Sequence, residues 1–228
     1  MLLALTTATD ACAAALWEGG PDGRVVAEAA LRRGQEHAAR LVPLVEALLA
    51  LADARLADVA AIAVAAGPGS YTGLRIGAST AKALCLATGA ALVPVATLDA
   101  LALAAAPAAP DGHALVVALP SRRGEVYAGA FDVSGAFPSA LAEAVALPLD
   151  EAEAWVAALP DSGARPLALA GPGADRLAPH VPGAKRVADR GGEAAALARL
   201  AARALADGRV ADVATWEPAY LKEWAPGG

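Results

Sequence analysis

Cysteine, histidine and aromatic residues are scarce in this chain of 228 residues. It contains two cysteines and three histidines, and Phe, Trp and Tyr together make up 4% of it. Cys12 and Cys85 lie far apart in the sequence, which is typical of reduced thiols in the cytoplasm rather than of a disulfide framework. So few cysteines and histidines argue against a structural zinc site. We therefore expect a cytoplasmic protein with no bound metal or cofactor.

Long apolar runs and basic residues are also lacking. The run closest to membrane-spanning length, residues 100–109, is broken by Pro107. The apolar N-terminus has no basic segment and is soon interrupted by threonines, so it is typical of a strand rather than of a signal peptide. The net charge of −6 argues against a surface that binds nucleic acid unaided, although a local basic patch stays open. We expect no membrane association.

What the sequence has in abundance is apolar residues, which make up 57% of it and predict an ordered α/β protein. Alternating and helical patterns predict strands at 2–8, 12–18, 24–31, 59–66 and 91–95, and helices at 36–52, 74–88 and 98–106. After a break at 107–113, strands are predicted at 114–119, 125–133 and 167–170, with a helix at 151–158.

The same order of elements recurs in the second half. The opening strands begin at residues 2 and 114, and two Gly-Pro-Gly turns begin at residues 67 and 171. Such offsets predict two related halves, the alternative being coincidence in a Gly- and Ala-rich sequence. Paired α/β halves that open with β-hairpins are typical of the actin-like (ASKHA, ribonuclease H-like) fold. We predict two lobes, each a β-sheet with flanking helices, at 1–106 and 107–228, with the C-terminal tail returning to the first lobe.

The most distinctive segment is Gly-Pro-Gly-Ser-Tyr-Thr-Gly-Leu-Arg-Ile-Gly at 67–77. A glycine-rich link from strand to helix can hold a phosphate, make a tight packing corner or begin an interaction helix. It departs from the Walker pattern because Leu74 and Arg75 follow Gly73 where Lys-Ser would be needed. The small residues that follow recur at helical spacing, which favours an interaction helix. Arg75 and Lys82 lie on a similar face, as a solvated rim or a ligand site.

Several segments resemble the TsaB (YeaZ) family. They are Leu-Thr-Thr-Ala-Thr-Asp-Ala-Cys at 5–12, His37 with Leu-Val-Pro-Leu at 41–44, the segment 67–77 with Lys82, Arg-Arg-Gly-Glu-Val-Tyr at 122–127, and Glu-Pro-Ala-Tyr-Leu at 217–221. The resemblance implies an actin-like, non-catalytic, dimerisation subunit in the formation of N6-threonylcarbamoyladenosine at position 37 of tRNAs that read A-starting codons. It implies TsaD as the catalytic partner, TsaE as an ATPase partner, a homodimer when alone, and contact with tRNA through the complex.

One position departs from the family pattern. The first strand of the family usually ends in Asp before the Thr, and this chain has Thr6 there. In active relatives that carboxylate helps to hold the metal of the nucleotide, so its loss weakens the alternative of an actin-fold phosphotransferase or ATPase. A further alternative, a glycoprotease of the M22 type, lacks its ligands because no second histidine follows His37 at the i+4 spacing.

These considerations give two sets of candidate site residues and no catalytic residue. The predicted partner interface consists of His37, Leu41, Leu44, Val45, Leu48, Tyr71, Gly73, Leu74, Gly77, Ala78, Ala81 and Cys85. A second, weaker set could line an anion or nucleotide cleft, and it consists of Thr6, Thr7, Gly69, Ser70, Arg122, Arg123, Gly171 and Gly173.

Overall fold

A computed structural model describes residues 1–32 and 36–221 of the chain. The strands in these residues are β1 (Leu2–Thr6), β2 (Ala11–Glu18), β3 (Arg24–Arg32), β4 (Ala61–Ala65), β5 (Ala91–Val95), β6 (Ala114–Pro120), β7 (Glu125–Asp132), β8 (Ser139–Pro148), β9 (Leu167–Ala170) and β10 (Lys185–Arg186). The α-helices are α1 (His37–Leu51), α2 (Tyr71–Thr88), α3 (Thr97–Ala105), α4 (Ala152–Ala157), α5 (Ala174–Leu177) and α6 (Glu193–Ala206).

The chain divides into two compact units. The first comprises Met1–Ala100 together with Gly192–Tyr220, and the second comprises the intervening residues 101–191. In this division the helix α6 and the segment after it belong to the first unit. None of the helices in 1–32 and 36–221 is both long and apolar enough to cross a membrane.

Each unit contains one five-stranded mixed sheet with the same topology. The first sheet has the order β3-β2-β1-β4-β5, and the second, read from its opposite edge, has the order β8-β7-β6-β9-β10. In both, the first three strands form antiparallel pairs and the fourth strand pairs in parallel with the first. The predicted actin-like fold of two related halves is therefore confirmed.

The first sheet is covered on both faces. Leucine, isoleucine and valine side chains of β1 and β4 point to one face, where they pack against α1 and α2. Alanines of β1, β2 and β4 point to the other face, where they meet the alanines of α6. Because both faces are buried, β1 reads as the continuous apolar run Leu-Leu-Ala-Leu rather than as an alternating one.

The Gly-Pro-Gly segment is a packing corner between β4 and α2. The backbone N–H of Ser70 donates to the carbonyl of Ala8 at 2.8 Å, and Thr7 Oγ1 donates to the carbonyl of Gly73 at 2.7 Å. A Cβ on Gly69 would meet the Ala8 carbonyl, and one on Gly73 would meet the Thr7 carbonyl. Glycine is needed here because the first turn of α2 lies directly against the β1–β2 turn.

The second unit repeats this corner at its own Gly-Pro-Gly turn. Gly171 has φ +88°, and the N–H of Gly173 donates to the carbonyl of Ala118 at 2.8 Å. A Cβ on Gly173 would collide with the backbone of Leu119, at the end of β6. Both Gly-Pro-Gly turns therefore bring the start of a helix into close contact with the end of the first strand of their unit.

The corner predicts a large difference between two Gly→Ala substitutions. Gly73→Ala should lower the free energy of unfolding by about 1–3 kcal/mol, because the added methyl overpacks a backbone contact. Gly163→Ala is the matched control, since nothing lies within 4 Å of its added Cβ, and it should change stability by about 0.5 kcal/mol or less. Urea unfolding measures both. Equal midpoints for Gly73→Ala and the parent would contradict the tight corner.

The second unit contains an ion pair that predicts a dependence of stability on pH. Arg165 Nη2 lies 2.9 Å from the Asp132 carboxylate, and the Ser134 N–H donates to it at 2.8 Å. Hydrogen bonds from the Arg165 guanidinium and from Ser134 hold the pKa of Asp132 well below its usual range. An aspartate with a lowered pKa stabilises the folded state above its unfolded pKa of about 3.9, and this contribution is lost as the pH falls.

Asp132→Asn should therefore lower the melting temperature at pH 7, and the gap to the parent should narrow as the pH falls below about 4. Asp175→Asn removes the more exposed ion pair with Arg186 and should leave the melting temperature nearly unchanged at pH 7. Differential scanning calorimetry across this range measures both variants. A gap for Asp132→Asn that is constant with pH would contradict the assignment.

Candidate functional site

The hydroxyl groups at the end of β1 hold a carboxylate of the same chain. Thr6 and Thr7 are buried, and Thr9 lies in the turn that leads to β2. Thr6 Oγ1 donates to Glu193 Oε1 at 2.8 Å, and Thr9 Oγ1 donates to Glu193 Oε2 at 3.2 Å. Glu193 is the first residue of α6, where a negative charge is favoured by the helix dipole.

This arrangement explains the departure at Thr6. A carboxylate does lie at the end of β1, but α6 supplies it through Glu193, and the two threonine hydroxyls donate to it. The N-terminus of α6 receives a second carboxylate, because the Ala195 N–H donates to Glu28 Oε1 at 3.0 Å. An incoming phosphate would have to displace Glu193 from both hydroxyls, at the cost of two hydrogen bonds to a charged acceptor.

The other predicted cleft residues of the first unit have structural contacts. Ser70 is the N-cap of α2, and its Oγ accepts from the Gly73 N–H at 3.2 Å. Thr7 and Gly69 form the corner described above. The first unit thus brings Thr6, Thr7, Gly69 and Ser70 into one corner, where their polar groups bind the chain itself.

The remaining predicted cleft residues lie in the second unit. Arg122 and Arg123 are exposed on the turn between β6 and β7. Gly171 and Gly173 are packed against β6. The glycines therefore have a packing explanation, and the arginines lie on a solvated turn.

Most of the predicted interface residues have to be reassigned to the core. Their small and apolar faces pack on the chain's own sheet, with Gly77 against Thr7 and Val64. A side chain with its face buried in this way is not available to a partner. The buried residues are His37, Leu41, Val45, Leu48, Gly73, Leu74, Gly77, Ala78, Ala81 and Cys85. Leu44 is half-buried against the same core, and only Tyr71, at 36% exposure, lies at the surface.

Other apolar side chains of these two helices face the solvent. Val42 is 45% exposed, Leu51 is 80% exposed and Leu86 is 78% exposed. Helices α1 and α2 contact each other across the same face of the sheet. The sequence analysis chose the residues with the clearest helical spacing, and those residues form the side that packs in the core. Val42, Leu51 and Leu86 lie off that side and were not among the predicted interface residues.

Among the described residues, neither a reactive cysteine nor a metal-binding cluster lies at the corner. Burial raises the pKa of the Cys12 and Cys85 thiols, which makes them poor nucleophiles. Within 1–32 and 36–221, no group of three or more His, Cys, Asp or Glu side chains is placed to hold a metal ion. Glu193 itself was also missed by the sequence analysis, although it opens an Ala-rich run with a clear helical pattern after two glycines.

Comparison with known proteins finds relatives named TsaD and TsaB. A family described as tRNA N6-adenosine threonylcarbamoyltransferase (TsaD) matches residues 24–214. The tRNA threonylcarbamoyladenosine biosynthesis protein TsaB of Escherichia coli K12 is 39% identical over 127 residues, which are 55% of this chain and 52% of that protein. TsaB of Haemophilus influenzae is 36% identical over 126 residues, 55% of this chain and 51% of that protein. The chain thus matches these curated relatives over about half of their length.

The similarity to a solved structure extends over nearly the whole chain. YeaZ from Pseudomonas aeruginosa is 29% identical and superposes with a TM-score of 0.83, covering 96% of this chain and 99% of that one. The predicted family resemblance is thereby confirmed. The chain belongs to the family described as tRNA N6-adenosine threonylcarbamoyltransferase (TsaD), and its curated and structural relatives support the TsaB (YeaZ) family.

Proposed function

We propose that the chain is a non-catalytic subunit that supports TsaD in forming N6-threonylcarbamoyladenosine at position 37 of tRNAs that read A-starting codons. The observation that carries the proposal is the hydrogen bonding of Thr6 and Thr9 to Glu193. It leaves the end of β1 without free hydroxyl donors for a nucleotide phosphate. The names of the TsaB and TsaD relatives are the basis for assigning the chain to the formation of threonylcarbamoyladenosine.

The chain would act by association through the outer faces of α1 and α2. Val42, Leu51 and Leu86 are exposed there, and burying them against a helix of TsaD would remove apolar surface from water. Docking of this kind orders the partner's active site without placing a catalytic group in it. In the proposed complex TsaE joins TsaD and this chain in the cytoplasm, tRNA binds the assembly, and the same helices pair two copies of the chain when TsaD is absent.

Substitutions on the outer helix faces test the docking. Leu86→Asp and Val42→Asp should each weaken binding to TsaD by about 30-fold or more, because a charge would be buried at an apolar contact. Val210→Asp is the matched control, since Val210 is an apolar residue with 52% exposure that lies outside α1 and α2. Isothermal titration calorimetry with TsaD of the same organism measures the affinities.

Circular dichroism should show unchanged melting for all three variants, because each replaced side chain is exposed. Normal binding by both helix variants, or equal loss in Val210→Asp, would contradict docking through these faces.

The filled corner predicts that the isolated chain does not bind nucleotide. Titration with Mg²⁺-ATP should give no saturable heat, because Glu193 occupies the donors that a phosphate would need. A nucleotide-binding actin-like kinase in the same buffer is the positive control. Saturable, Mg²⁺-dependent binding by the chain would instead support the actin-fold phosphotransferase or ATPase alternative.

A further inference from the structure

A polar groove runs along the outward side of α2. One wall is a stripe of α2 that carries Tyr71, Arg75 and Lys82, and the other is the segment 216–220. The groove has a volume of about 330 Å³, within the range of small-ligand sites. It lies entirely within the first unit, on the same outward side of α2 as Leu86.

Backbone hydrogen bonds hold the wall formed by the segment 216–220 in place. The Ala219 N–H donates to the carbonyl of Ala66 at 2.8 Å, next to the glycine corner, and the Ala211 N–H donates to the carbonyl of Leu92 at 2.8 Å. Trp216 packs against the core below the groove. The groove is therefore formed before any ligand arrives, which lowers the entropy cost of binding.

Aromatic rings stand at one end of the groove. The ring centroids of Tyr71 and Tyr220 lie 5.0 Å apart with an interplanar angle of 43°. The two residues are 36% and 37% exposed, so ring surface is open to a ligand. Exposed aromatic rings that are held in place can stack a nucleobase of any identity.

Two cations continue from the aromatic end. The Arg75 guanidinium carbon lies 5.6 Å from the Tyr71 ring centroid, and Arg75 Nη1 donates to Tyr71 Oη at 3.4 Å. Arg75 has no acidic partner in the described part of the chain. Lys82 Nζ, two helical turns further on, has one long hydrogen bond of 3.5 Å to the carbonyl of Ala214. Its charge also acts on Asp212, whose pKa is lowered first by hydrogen bonds from Thr215 and Ala214 and then by Lys82. Both cations can therefore turn to a phosphate.

The groove also contains one carboxylate, on Glu217. A carboxylate repels an acidic peptide, but it accepts hydrogen bonds from a ribose 2′-hydroxyl or an exocyclic amino group. Rings, cations and a single carboxylate thus match the bases, the phosphates and a sugar of a short stretch of RNA. We propose that this groove binds single-stranded RNA, with the base on Tyr71 and Tyr220, the phosphate on Arg75 and Lys82, and the 2′-hydroxyl on Glu217.

This inference extends the proposed function, since a tRNA offers single-stranded segments, but its test does not require TsaD. The isolated full chain is titrated into a short fluorescein-labelled oligoadenylate RNA at low salt, and binding is followed by fluorescence anisotropy. The double variant Arg75→Ala/Lys82→Ala should weaken binding by about tenfold or more. It should also reduce the slope of log K against log salt by about 0.7 for each cation removed.

Matched controls separate the groove from general charge. Arg24→Ala and Lys185→Ala remove exposed cations on β3 and β10, and the pair should leave the affinity within about twofold of the parent. Tyr71→Ala should weaken binding about fivefold or more. Glu217→Gln should narrow the preference for the RNA over the DNA of the same sequence. Val42→Asp, on α1 and outside the groove, should bind the RNA like the parent even though it fails to bind TsaD, which keeps the two proposals distinguishable.

Three results would overturn the inference. The first is unchanged affinity in the double variant, or an equal loss in its control pair. The second is equal binding of the RNA, the DNA and an acidic oligopeptide, which would indicate an unspecific anion surface or a protein-binding groove. The third is competition by AMP at the same concentration as unlabelled oligoadenylate, which would indicate a mononucleotide site.

Discussion

The close contact between the start of α2 and the β1–β2 turn is the constraint on which the first unit depends. Thr7 donates to the Gly73 carbonyl, and the glycines at 69, 73 and 77 leave no room for a side chain between the helix and the turn. This contact fixes the direction of α2 across the sheet. The small-residue face of the helix is buried as a result, and the opposite face, with Arg75, Lys82 and Leu86, is turned outward.

The same corner shows how the polar groups at the end of β1 in an actin-like fold can be used within the protein itself. In the first unit the donors at the end of β1 are used twice, by Thr7 toward α2 and by Thr6 and Thr9 toward Glu193. The carboxylate arrives from α6, which is nearly two hundred residues away in sequence. An actin-like topology can thus be kept while its polar corner becomes part of the protein's own packing, which is consistent with a role through association.

The residues after α6 form part of the surface of the first unit. The segment 211–220 hydrogen-bonds to β5 and to the glycine corner and forms the second wall of the groove beside α2. Chemistry that looks scattered in the sequence is gathered in this way: Tyr71 and Arg75 come from the helix start, and Glu217 and Tyr220 come from near the end of the chain.

Local patterns in the sequence determined the order of elements, the repeat of the two halves and the family, because periodicity and glycine turns act over a few residues. The strand β5 was predicted from these patterns alone, whereas β8 and α6 were not. Tertiary structure decided which partner each pattern meets. The stripe from Gly73 to Cys85 has the spacing of an interface, but an amphipathic face carries no information on whether its partner is the same chain. Likewise no local signal joins Glu193 to Thr6, since only the return of α6 to the first sheet brings that carboxylate to the end of β1.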